Sequence, residues 1–136
     1  MNRKIIHLLI LSLLTIGITS CSRERIYEIK IVNETDYYLD KVSVGSGKDA
    51  TQVPVGSKQT SGSFELAFTP NAASFFSEAL LSVTVLTYSD STTTSQNTRG
   101  GVVALSKFHE GRTNFIYIKL APPHPNAINP FSVTVN

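Results

Sequence analysis

Few residues in this chain could do chemistry, and the spacing of most of them argues against it. Gly45-Ser46-Gly47-Lys48 invites a phosphate-loop reading, with backbone amides around a phosphate and a lysine reaching it. That motif needs a Gly five residues before Gly47 and a Ser or Thr after Lys48. Val42 and Asp49 stand there, so the segment reads as a hairpin turn. No Gly-x-Ser-x-Gly elbow occurs, and the nearest fragment, Gly56-Ser57-Lys58, lacks the second glycine. His109 beside Glu110 has the pairing of a weak acid or base, but Gly111 and the strands on either side predict a solvated loop. His124 lies between prolines and is expected to be exposed. Glu34, Asp36, Asp40 and Asp49 could offer oxygens to calcium, yet the spacing of a calcium loop is absent and a charged turn is expected. Glu65 and Glu78 could be imagined as a glycosidase pair, but Glu65 alternates onto the polar face of its strand. No catalytic residue, metal ligand or cofactor is therefore expected, and the reading leans away from an enzyme.

Aromatic side chains are the remaining handle. Tyr27, Tyr37, Tyr38, Phe75, Phe76, Tyr88 and Tyr117 could in part line a protein-binding or sugar-binding face. The chain has no Trp, so most of them must fill the core. Tyr37 and Tyr38 are adjacent, and neighbours on a strand point to opposite faces, so one of them is predicted to lie outside the core. These two are the candidate binding residues.

The elements that position these side chains read as strands. Ile26–Asn33 alternates, with Tyr27, Ile29 and Ile31 opposite Glu28 and Lys30. Tyr38–Val44 repeats the pattern with Tyr38, Val42 and Val44 on one face. The turn-forming Asn33-Glu34-Thr35-Asp36 predicts a hairpin between the two. Gln52–Val55 is broken by Pro54 and suits an edge. Ser63–Phe68, Leu81–Tyr88, Gly101–Leu105, Asn114–Leu120 and Phe131–Val135 complete the set. Thr69–Leu80 resists: Thr69 as N-cap and Pro70 at the first helical position predict a short helix near 70–80. Asp90–Gly100 is wholly polar and reads as a mobile hairpin tip, while Pro122–Pro130 holds four prolines and should be extended. Seven or eight short strands predict an all-β fold, an immunoglobulin-like or similar antiparallel β-sandwich in a single domain over 26–136.

The N-terminus is different in kind. Arg3 and Lys4 precede Ile5–Ile18, an apolar stretch interrupted only by His7, Ser12, Thr15 and Gly17. A basic n-region and about 14 apolar residues is signal-peptide geometry, shorter than the roughly 20 residues of a transmembrane helix. Ile18-Thr19-Ser20-Cys21 follows, and it resembles the lipobox of bacterial lipoproteins. The resemblance covers residues 1–21 and implies that 1–20 are a signal peptide removed on export. It further implies that Cys21 becomes the first mature residue, carrying S-diacylglycerol and often an N-acyl chain, with 21–25 a short tether. Two or more acyl chains hold stably where one binds only marginally, so the anchor would be lasting. In enteric lipoproteins Asp after the Cys marks retention in the inner membrane; Ser22 stands here, which leans toward the outer membrane.

Composition fits this division. The 136-residue chain has 12 basic and 10 acidic side chains. Its excess of +2 resides in Arg3 and Lys4, so the part beyond the signal is formally neutral and a nucleic-acid partner is not expected. The lone Cys permits no intramolecular disulfide. These features point to a lipid-anchored cell-envelope protein whose sandwich binds another envelope or surface protein. The alternatives are a glycan-binding surface lipoprotein and a small envelope enzyme inhibitor or chaperone-like factor.

Overall fold

A computed structural model describes residues 23–45, 50–69, 79–97, 99–123 and 129–136. Among these residues nine strands are divided between two layers: β1 (Arg25–Asn33), β2 (Tyr38–Val44), β3 (Thr51–Val55), β4 (Phe64–Phe68), β5 (Leu80–Ser89), β6 (Thr94–Gln96), β7 (Gly101–Ala104), β8 (Thr113–Leu120) and β9 (Phe131–Val135). One sheet has the order β4-β1-β8-β9. The other has the order β3-β2-β5-β6, with β7 also paired to β5. The all-β sandwich expected from the alternation is therefore present. Its four-stranded sheet is mixed rather than wholly antiparallel, because β1 and β8 run parallel, Ile31 opposite Ile116.

The period-two pattern explains the core. Tyr27, Ile29 and Ile31 of β1 are buried, as are Ile116 and Ile118 of β8. Val42 and Val44 of β2 and Val83 and Val85 of β5 face them from the other sheet. Each fully buried aliphatic side chain of this kind contributes roughly 1.5–3 kcal/mol relative to exposure. β3 lies at a sheet edge with Pro54 exposed, as the missing amide of proline requires.

The hairpin expected between β1 and β2 does not form. β1 already pairs on both sides, with β4 and β8, so residues 34–37 carry the chain from one sheet to the other instead of reversing it. Asn33 and Thr35 are both about 1% exposed and are the hinge of that crossing. Nor does Tyr38 share a face with Val42 and Val44. Between Leu39 and Val42 the register with β3 shifts, three steps on β2 against two on β3. That bulge flips the face, so Leu39 is buried and Tyr38 lies 46% exposed.

The expected tip at 90–100 is also different: only 90–93 is a turn, because β6 pairs back onto β5 and Asn97 is buried. The helix expected near 70–80 falls on 70–78, outside the described residues, and Leu80 already belongs to β5. Among the described residues the helical structure is a single 3-10 turn, Leu105–Lys107.

The crossings define two ends. β1 and β8 both start at the lower end, together with the 105–112 connection and the start of β5. The upper end gathers the 34–37 crossing, the 56–60 turn, the 90–93 turn and the start of β9.

Candidate binding surface

Three asparagines hold the loops in place, and each does so by satisfying backbone groups that a strand ladder leaves free. Asn33 Nδ2 donates to the carbonyls of Tyr37 (2.7 Å) and Gly56 (2.9 Å), while Asn33 Oδ1 accepts from the Thr35 amide (2.9 Å) and hydroxyl (2.7 Å). Asn114 Nδ2 donates to the carbonyls of Glu28, His109 and Arg112, and its Oδ1 accepts the His109 amide at 2.7 Å. Asn97 Nδ2 donates to the Arg99 carbonyl and to Asn129 Oδ1, which in turn accepts the Phe131 amide. Among the described residues every buried side-chain nitrogen and oxygen has a partner. These polar groups are spent on the fold.

Two of the four acidic residues considered for calcium are engaged in ion pairs at the surface. Glu34 pairs with Lys119 at 2.9 Å and Asp36 with Lys58 at 3.3 Å. Asp40 is exposed on β2, and Asp49 lies outside the described residues. Among the described residues no three of His, Cys, Asp and Glu gather in a metal-holding group. Glu65 is exposed on the edge strand β4, opposite Glu28, and Glu78 lies outside the described residues. His109 and Glu110 are exposed in the expected loop, whose turn uses Gly111 at φ 72°. His124, Phe75, Phe76 and Cys21 lie outside the described residues.

Among the described residues Asp90 is the one group whose acidity is clearly shifted. Its Oδ1 accepts the Thr92 amide (2.7 Å) and hydroxyl (2.8 Å) and the Thr93 amide (2.8 Å). The Thr92 and Thr93 hydrogen bonds favour the carboxylate and hold its pKa down at about 2. Its chemistry is that of a turn brace.

Tyr37, the last residue of the crossing, and Tyr38, the first of β2, point to opposite sides of the sheet. Tyr38 stands on the outer face of its sheet, paired across from Ser89. Tyr37 turns inward and is half-buried. It meets Tyr88 edge-on at 5.2 Å between ring centroids, and Tyr88 meets the buried Phe131 at 4.9 Å. A β5 residue facing this way needs the second register shift, between Lys41 and Val42 opposite Thr87 and Val85, where β5 gains one residue. Sequence reading noted Tyr88 only as one aromatic among several and missed its grouping with Tyr37 and Phe131. A shift of one residue in a strand leaves no mark in residue type.

The upper end is thus a half-exposed Tyr37–Tyr88 pair beside a cross-braced rim. Lys58, at φ 54°, donates from Nζ to the Glu34 carbonyl at 2.7 Å, and its amide donates to the Thr35 carbonyl at 3.2 Å. Such a surface offers an amphipathic ring pair whose edges are fixed by packing, with opposite charges around it. That combination suits contact with a protein surface. No protein-family model matches the chain, and no curated protein or solved structure matches it.

Proposed function

We propose that this chain is a lipid-anchored bacterial cell-envelope protein, non-enzymatic, whose sandwich binds another envelope or surface protein through its upper end. The reading rests first on Ile18-Thr19-Ser20-Cys21 at the end of a signal-like apolar stretch, with Cys21 as the site of S-diacylglycerol and a possible N-acyl chain. The first strand begins at Arg25, four residues beyond Cys21, which suits a short tether. Ser22 favours the outer membrane. The scaffold is read as an immunoglobulin-like or similar sandwich, supported by its two packed sheets of four and five strands.

The partner reading is carried by the Tyr37–Tyr88 pair and exposed Tyr38 at one rigid end. A glycan ligand is the second reading, favoured by Tyr38, because a sugar ring stacks on a free aromatic face. Metabolic labelling with a clickable fatty acid should mark the wild type and leave Cys21→Ala unlabelled; equal labelling would remove the anchor. In-cell crosslinking should then recover one dominant envelope protein, reduced several-fold by Tyr38→Ala. Saturable binding of the purified domain to polysaccharide, with no protein recovered, would favour the glycan instead.

A further inference from the structure

Asp90-Ser91-Thr92 forms a pattern the other aspartates do not share, since Tyr, Lys and Ala follow Asp36, Asp40 and Asp49. It resembles the three-residue acceptor that some bacteria O-glycosylate on exported proteins. Resting on the export reading above, we infer that Ser91 is a modification site whose Oγ carries a neutral sugar chain.

Position, hydrogen bonding and charge each select this hydroxyl from the run 91–95. β5 ends at Ser89 and β6 begins at Thr94, so 90–93 is the tip of a hairpin. The tip is closed by the Asp90 amide, which donates to the Thr93 carbonyl at 3.0 Å, and all its residues are exposed. Asp90 Oδ1 accepts the hydroxyls of Thr92 (2.8 Å) and Thr93 (3.3 Å), whereas the Ser91 hydroxyl has no partner among the described residues. Thr94 and Ser95 lie in β6, with their backbone held against β5. Ser91 is thus the free nucleophile of the tip, and the Asp and Thr that flank it in the pattern are the residues that brace it. A phosphate there would place a second anion beside the Asp90 carboxylate, whose Thr92 and Thr93 hydrogen bonds hold its pKa down at about 2. A sugar adds no charge. Tyr38 lies across from Ser89, so the sugar adds hydrated bulk beside that exposed ring and displaces no buried group.

The transfer balances with one co-reactant, a sugar carried on a polyprenyl diphosphate. Ser91 Oγ attacks the anomeric carbon, the bond from that carbon to the phosphate oxygen breaks, and the diphosphate leaves with the electron pair. The hydroxyl proton passes to a base of the transferase.

The test is peptide mapping by electron-transfer mass spectrometry on the full protein taken from the cells that produce it. The wild type should show sugar-mass increments on the peptide spanning 90–99, with the modified residue placed at Ser91. Ser91→Ala should abolish them, Ser91→Thr should keep them, and Asp90→Ala, which unbraces the tip, should lower occupancy several-fold. A bare Ser91, a phosphate mass in place of sugar, or sugar spread over 92–95 overturns the site. Occupancy indifferent to Asp90→Ala overturns the part played by the brace. The N-terminal peptide in the same spectra reads the anchor separately. A lipidated Cys21 with a bare Ser91 sinks the sugar alone, and sugar on Ser91 with an unmodified Cys21 sinks the anchor alone. A chain still starting at Met1 with a bare Ser91 sinks both.

Discussion

Asn33 shows how much one side chain decides. Its carboxamide is buried and ties the end of β1 to the carbonyl of Tyr37, four residues on, and to the carbonyl of Gly56, 23 residues away. Asn33→Ala leaves the Thr35 amide without its acceptor and takes one donor each from the Tyr37 and Gly56 carbonyls, which keep Thr35 Oγ1 and the Gln59 amide, so a loss of about 1–3 kcal/mol is expected in urea unfolding. Asp90 acts on a smaller region and with a pH signature. Its folded pKa of about 2 lies below the ordinary 3.8, so the ionised form is the one the fold favours. The brace it provides is complete above about pH 4 and is lost as pH falls through about 2. Exchange protection of the Thr92 and Thr93 amides should hold at pH 3 and fail below 2. Asp90→Ala should weaken that protection several-fold at neutral pH, and unaltered exchange would refute the brace.

Elements meet through contacts that glycine permits and like charges oppose. β6 and β7 share one side of β5, and the chain between them returns through Gly100. A Cβ there would stand 2.5 Å from the Val83 carbonyl oxygen, a backbone atom that can move only if β5 moves. Gly100→Ala is expected to cost about 1–3 kcal/mol by thermal unfolding, since overpacking displaces a paired strand. Across β1 and β4, Glu28 and Glu65 sit directly opposite each other, both exposed. Replacing one with a base converts repulsion to attraction, so Glu65→Lys should raise stability by about 0.2–1 kcal/mol, an effect that added salt diminishes. At this scale the strands were largely legible: Tyr27, Ile29 and Ile31 alternate inward, and Pro54 marks an edge. The face of Tyr38 and the grouping of Tyr88 were not, because a bulge reverses which residues point inward without changing any residue type. Asn33-Glu34-Thr35-Asp36 was legible as a turn, but a turn within a sheet and a crossing between sheets use the same residues.

Over the whole molecule, burial follows the two apolar faces that meet between the sheets. Ile29 and Ile116 are fully buried, so Ile116→Ala should cost about 2–5 kcal/mol, while Tyr38→Ala, on the outer face, should stay within about 0.5 kcal/mol. A comparable loss at Tyr38 would place it in the core and remove it from the candidate surface. The sequence by itself determined most of the strand-forming segments, much of their inward and outward alternation, and the sandwich class. Each of these depends on residues close together along the chain, where period and motif are visible. Only the tertiary structure decided the parallel pairing of β1 with β8, the crossing at Asn33, and the gathering of Tyr37, Tyr88 and Phe131. Those depend on which distant strands become neighbours and in which register, and backbone hydrogen bonds are alike for every residue that makes them.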